Sequence, residues 1–257
     1  MESKKRFIEI DIIKGFAVIL MIFFHIFYLS KYLGLKDYNT QTGLLLLCAN
    51  ISHTLFILMS GVNLSVSYQK SEKEDSDFNC FFGKQMKRVL VLMSCGLILS
   101  YLSYLVFNNL YVKFGILHFL STALLISQLF VNNNLLLTIA SLFVLIMTVL
   151  IENNKESLHN LCQNTTFLCF ITGLSNTHYS SLDHFPLIPY IIYIFIGMIL
   201  GNVFYKNYKR TFDLEIFNNL SENKFIRHFA YIGKNSFLIY MLHWPILYFI
   251  IQFLKKS

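Results

Sequence analysis

The chain has 257 residues, 55% of them hydrophobic and 14% charged, which is too apolar for an ordinary water-soluble domain. Its net charge of +7 does not point to nucleic acid, because lysine and arginine cluster between long uncharged runs, as orientation in a membrane requires. The five cysteines (Cys48, Cys80, Cys95, Cys162, Cys169) are odd in number, lie mostly in apolar runs and form no CxxC, so neither a zinc site nor a disulfide framework is expected.

The uncharged runs are Gly15–Ser30, Tyr38–Gln69, Val89–Val112, Phe114–Ile151, His184–Tyr205 and Asn235–Leu254. Several exceed the roughly 18 residues needed to cross a hydrocarbon core. They lack strand alternation, so they read as helices, which satisfy their own backbone polar groups in lipid. The fold expected is all-α: a polytopic transmembrane helical bundle, with residues 1–257 as a single membrane domain.

The first span covers about 12–33. It opens with Glu9, Asp11 and Lys14, then carries no formal charge from Gly15 to Ser30, yet holds His25. Eleven residues separate Lys14 from His25, which is three helical turns plus about 20°, or roughly 16 Å of axial rise. Asp11, Lys14 and His25 therefore share one face. An ionisable group at that depth is costly unless it faces a protein interior or a wet cavity. The apolar run is followed by Lys31, Tyr32 and Leu33, not by a small-residue cleavage site, so it reads as a span and not as a cleavable signal peptide.

The second span, about 44–68, carries Asn50, His53, Ser60 and Ser67 as one polar stripe, and Gly61 offers a place for another helix to approach closely. A loop of mixed charge follows over 69–88, with Lys70, Lys73, Lys84, Lys87 and Arg88. Spans three to five cover about 89–107, 114–131 and 135–151; His118 on the fourth has Thr122 one turn later. Residues 152–185 hold only one short apolar patch, Thr166–Leu174. A further span runs from near Pro186 to near Tyr205, and a basic loop covers 206–234. The last span, about 235–254, puts Ser236, Tyr240 and His243 on one face.

If Thr166–Leu174 does not cross, there are seven spans, with fourteen basic loop residues on the side of the N-terminus and six on the other; if it crosses, there are eight and the charges divide evenly. Positive-inside bias favours seven spans and a cytosolic N-terminus. His25, His53 and His243 fall at similar depth near mid-membrane, which suggests one central cavity. The alternative for each is a structural hydrogen bond to a neighbouring helix. Bis-histidine haem is disfavoured, since no helix supplies two axial ligands for a relay. No nucleophile elbow or phosphate-cradling glycine loop is present.

Asp11-Ile-Ile-Lys14-Gly15, followed by His25, resembles the opening of the transmembrane acyltransferase superfamily, which reads Asp-x-x-Arg-Gly with a helix-one His. LFILMSG (55–61), KFGILHFLS (113–121), DHFPLIPY (183–190) with IGMILG (196–201), and GKNSFLIYMLHWPI (233–246) extend the resemblance over nearly the whole chain. Within that superfamily the chain is similar to bacterial membrane proteins grouped with the catalytic domain of heparan-α-glucosaminide N-acetyltransferase. Two departures stand out. The family Arg is Lys14, which keeps the charge but loses the bidentate fork. The lysosomal enzyme has Asn where His25 stands and takes its catalytic His later, near Lys36; His25 matches the helix-one His of the O-acyltransferase branch.

The resemblance implies transfer of an acyl group, typically acetyl, from cytosolic acyl-CoA to a sugar or glycan acceptor. The catalytic residues then expected are His25, Asp11, His243 and Tyr240, with Lys14, Lys84, Lys87 and Arg88 for the CoA phosphates and His53, Ser60 and His118 for the acceptor. No metal or haem is expected, and the partners are the lipid bilayer and the acceptor, with no nucleic acid; an oligomer is compatible with the pattern. The competing readings are a small-molecule transporter or exporter using the same stripes as a passage, and a non-catalytic membrane subunit of the same fold.

Overall fold

The computed structural model describes residues 7–74, 77–162, 166–174, 180–212 and 223–256. Lys4, Lys5 and Arg6, part of the charge count, lie outside them. The helices are α1 (Ile8–Tyr32), α2 (Gly43–Lys73), α3 (Phe78–Phe107), α4 (Ile116–Ser127), α5 (Asn134–Asn153), α6 (Lys155–Leu161), α7 (Thr166–Thr172), α8 (Leu187–Phe204), α9 (Lys224–Lys234) and α10 (Ser236–Lys256). Among the described residues the β structure is one isolated bridge, Phe114 to His184. The chain is thus all-α and multi-pass.

Six helices (α1, α2, α3, α5, α8 and α10) are long and apolar enough to cross a membrane. The seventh span of the sequence reading is α4 with the 3-10 turn that follows it, 116–130. Fifteen residues rise only about 22 Å against a hydrocarbon core of about 30 Å. That segment is short because it is an interior helix: Ile116 through Ser121, Ala123 and Ser127 are all buried. By contrast α3 and α5 expose Leu97, Ile98, Leu105, Leu142, Phe143 and Ile146, the apolar outer surface that lipid requires.

Two boundaries differ from the sequence reading. Residues 69–88 are not a loop: α2 runs on to Lys73 and α3 begins at Phe78. Charge there solvates helix ends, and Lys70 pairs with Glu74 at 3.5 Å across one turn. In the basic segment 206–234, the last eleven residues form α9, capped by Asn223, whose side chain accepts from the Phe225 amide at 2.9 Å. Asn133 caps α5 in the same way, accepting from Leu136 at 3.0 Å.

The expectation of no disulfide is corrected. Cys162 and Cys169 are bonded, with Cα atoms 6.1 Å apart. Cys162 follows the end of α6 and Cys169 lies within α7, two cysteines which no spacing motif marks.

Two compact units divide the described chain, one made of residues 1–59 and 212–257, the other of 60–211. In the first, α1 and α10 pack along their length. His25 meets His243 and Trp244, Leu29 clusters with Leu247 and Ile251, and Lys255 donates to the Leu33 carbonyl at 2.7 Å. Partner numbers rise together, so the first and last spans run parallel. Parallel first and last spans require an odd number of crossings, which excludes the eight-span alternative. α9 runs antiparallel to the first half of α1 at a close crossing. A Cβ on Gly15 would meet the Phe229 carbonyl, and one on Gly233 the Asp11 carbonyl. α1 ends at Tyr32, and two residues on, the positive φ of Gly34, 70°, lets Leu35 donate back to Ser30 at 2.9 Å.

In the second unit, Gly61 of α2 lies against the Ile194 carbonyl of α8, the close approach expected of it. Ser65 donates to Asn202 at 2.5 Å, Asn202 to Asn134 at 2.6 Å, and Gln69 to Asn202 at 3.4 Å, joining α2, α5 and α8. The connector before α8 clasps the start of α4: Asp183 accepts from the Ile116 amide at 3.0 Å, and Phe185 donates to the Phe114 carbonyl at 3.1 Å.

Candidate active site

The site is built from two helices. α1 supplies His25 and α10 supplies His243, and their rings approach with centroids 4.8 Å apart and planes inclined at 77°. His25 Nδ1 is 2.8 Å from the Met21 carbonyl oxygen, one turn back. A carbonyl has no hydrogen to give, so Nδ1 is the donor and a neutral ring keeps its lone pair on Nε2. The same holds for His243, whose Nδ1 lies 2.5 Å from the Tyr240 carbonyl. Its Nε2 is buried with no hydrogen-bond partner among the described residues.

Aromatic rings surround the imidazoles. Trp244 lies 6.0 Å from His25, Phe24 5.4 Å and Tyr28 6.2 Å, while Tyr240 lies 5.3 Å from His243 and stacks on Phe56 of α2 at 6.1 Å. Pro245, inside α10, has no amide hydrogen, so the Met241 carbonyl lacks its usual helical donor half a turn from His243. α2 is held to α1 by Ser52, whose hydroxyl donates to the Ala17 carbonyl at 2.8 Å.

Of the residues expected at the site, His25, His243 and Tyr240 come together. His53, half-buried on α2, bonds the backbone of Ala49 in its own helix. Asp11 is buried and Lys14 half-buried on the first turns of α1, beside the α9 crossing. Lys84, Lys87 and Arg88 are exposed on the early turns of α3, where Arg88 donates to Gln85 at 3.2 Å and Gln85 to Ser67 at 2.9 Å. Ser60 is half-buried on α2 within the second unit. His118 is buried there between α3 and α4, its ring against Gly96 and Nε2 3.5 Å from the Ser100 hydroxyl.

Sequence reasoning missed Trp244 and Tyr28 as neighbours of His25. The signals were available: Tyr28 follows His25 by three residues on the same face, and Trp244 adjoins His243. It also missed Asp183. Burial pushes that carboxyl up to about 6, partly offset by the Ile116 amide that it accepts.

The chemistry available is proton acceptance at two imidazole nitrogens in an aromatic-walled, half-buried setting between two apolar helices. No curated protein and no solved structure matches the chain. A family model does, over residues 6–245, described as heparan-alpha-glucosaminide N-acetyltransferase, catalytic. That match takes in α1, the imidazole pair and the first part of α10, and on it the chain belongs to the family of heparan-alpha-glucosaminide N-acetyltransferase catalytic domains, a membrane acetyltransferase family.

Proposed function

We propose that the chain moves an acyl group, typically acetyl, from cytosolic acyl-CoA to a hydroxyl or amine of a sugar or glycan, with His25 as general base. The observation that carries this reading is the fixed tautomer of His25. Its Nδ1 hydrogen is committed to Met21, which leaves Nε2 with the lone pair that a base needs. Nε2 takes the acceptor's proton as the acceptor oxygen or nitrogen attacks the thioester carbonyl. The C–S bond then breaks and the proton leaves on the CoA thiolate, so protons and electrons balance.

Tyr240, with a phenolic hydrogen to donate, serves the developing oxyanion; Nε2 of His243 has no hydrogen in this tautomer and is unsuited to that role. Lys14 anchors donor phosphate as a point charge. It lies roughly 16 Å along the helix axis from His25, comparable to an extended pantetheine arm. Asp11 shares that end of the helix and positions Lys14. His53 serves the acceptor. Lys84, Lys87 and Arg88, on the other unit, are a separate basic cluster whose part in donor binding charge reversal tests independently, as alanine substitution does for Ser60 and His118.

The N-terminus is assigned to the cytosol. The charge count supports this, and so does the disulfide, since disulfides persist on the oxidising side of a membrane and Cys162–Cys169 lies in the connector assigned to the far side. The test of the activity is His25→Gln beside His53→Gln, with labelled acetyl-CoA and glucosamine as probes at matched expression. His25→Gln is expected to lose about 10²- to 10⁴-fold in transfer rate. Transfer at the wild-type rate by His25→Gln refutes the assignment.

A further inference from the structure

We propose that His25 and His243 hold one proton between them: when His25 takes the acceptor's proton, His243 accepts it as a hydrogen bond through Nε2. The chemical step rests on the acyltransferase reading; the pair itself does not.

Both rings commit their Nδ1 hydrogen to a carbonyl of their own helix, Met21 for one and Tyr240 for the other. At rest the two Nε2 atoms are therefore both acceptors, and two acceptors cannot bond to each other. His243 Nε2 is buried without a partner among the described residues, and an orphaned polar atom in a low-dielectric interior is costly. One added proton removes the conflict. An N–H···N bond of ordinary length, about 2.9 Å, sets the centroids of two five-membered rings roughly 5 Å apart. The observed separation is 4.8 Å. That separation leaves room for such a bond between the two rings.

In the reaction the acceptor X–H bond breaks to His25 Nε2 while the X–C bond forms. The imidazolium, now a donor at both nitrogens, bonds Met21 and His243 instead of standing unpaired in an apolar setting. Loss of the C–S bond leaves a thiolate, which takes the proton and returns the pair to its resting state. His243 acts through His25 and is a positioning residue.

Tyr28 on α1 and Tyr240 on α10 are in ring contact with the pair; His53 lies on α2, Asp11 and Lys14 on the first turns of α1, and Arg227, His228 and Lys234 on α9, which crosses that end of α1. The tyrosines ordinarily titrate near 10, above the range of interest, and His53→Gln removes the remaining imidazole on these spans.

The experiment uses the full chain in lipid nanodiscs, labelled with 15N-histidine. Expected at rest are two rings with hydrogen on Nδ1 and bare Nε2. On acidification one proton should enter and both Nε2 signals move together, and His243→Leu should abolish the concerted change. Nε2 protonation of either ring at rest, or two independent titrations, overturns the proposal. A kinetic arm follows thiol release from acetyl-CoA with glucosamine as acceptor. His243→Leu should lower kcat roughly 10- to 100-fold, the cost of one hydrogen bond to a charged group, with acetyl-CoA KM unchanged. His243→Gln, whose amide oxygen can accept, should recover part of that loss. A proton inventory curved in wild type should become linear in His243→Leu, a change that a purely structural role would not produce. Absence of thiol release in wild type would defeat the acyltransferase reading, while the spectra still decide the fate of the pair.

Discussion

Two polar groupings sit in this apolar chain, and they are built on opposite terms. In the second unit Ser65, Gln69, Asn134 and Asn202 satisfy one another across α2, α5 and α8, and Gln69 also accepts from the Asn207 amide at 3.0 Å. In the first unit His25 and His243 are each held through Nδ1 by a carbonyl of their own helix, and Nε2 of His243 is buried without a hydrogen-bond partner among the described residues. A closed network spends its hydrogen bonds on packing. An imidazole fixed at one end and bare at the other is oriented for something absent from the resting chain. The difference separates polar groups that hold helices together from the pair proposed to react.

The sharpest way to break this comparison is to exchange the readouts. His25→Gln should abolish transfer by two or more orders of magnitude while leaving the melting temperature in place, because its packing neighbours remain. A melting temperature that falls with activity would put His25 among the packing residues. Next in size is the glycine crossing: Gly233→Leu forces a side chain into the Asp11 carbonyl, and overpacking of this kind typically costs about 1–3 kcal/mol. Thermal unfolding in detergent should show the loss, and Gly83→Leu, at an exposed position with open space for a Cβ, should not.

Asn202→Leu makes the reciprocal test. It strands the partners of a closed network and should cost roughly 1–3 kcal/mol in stability with kcat retained at temperatures where the chain stays folded. A large fall in kcat without loss of stability would erase the distinction drawn above. The smallest effect is expected at Asp183, whose carboxyl burial pushes up to about 6 from an ordinary 3.8. The folded state then binds this proton more tightly than the unfolded state. Its contribution to stability is complete below the ordinary carboxylate value and is lost as pH rises through about 4 to about 6. Asp183→Asn keeps an acceptor for the Ile116 amide and should flatten that part of the stability profile in melts at about pH 4 and about pH 7. An unchanged profile would mean that the carboxyl is better solvated than its burial implies.

The all-α, multi-pass fold was legible because uncharged runs of span length have few other uses, and the shared face of Asp11, Lys14 and His25 followed from helical period alone. What the sequence could not supply was pairing. Several of the stretches that carry the family resemblance turn out to meet: Asp11 lies against Gly233, 114–116 against 183–185, and His25 against His243. Each is short and unremarkable by itself because its meaning lies in a partner far along the chain. The same reason hid the Cys162–Cys169 bond, which joins the end of α6 to α7, and the helix α9, which packs closely on α1. His118 shows the converse limit. Its depth on a span suggested a place near the acceptor, yet what it touches is the seam of α3 and α4.

Trp244 is the one tryptophan in 257 residues, and its ring lies 6.0 Å from that of His25. Indole emission from the whole protein therefore originates at a single point beside the His25 imidazole. A charged imidazolium quenches indole light by electron transfer at such range, and a neutral one does so far less. The molecule carries its own optical gauge: with no dye attached, stopped-flow emission can follow the charge state of His25 when acetyl-CoA is added.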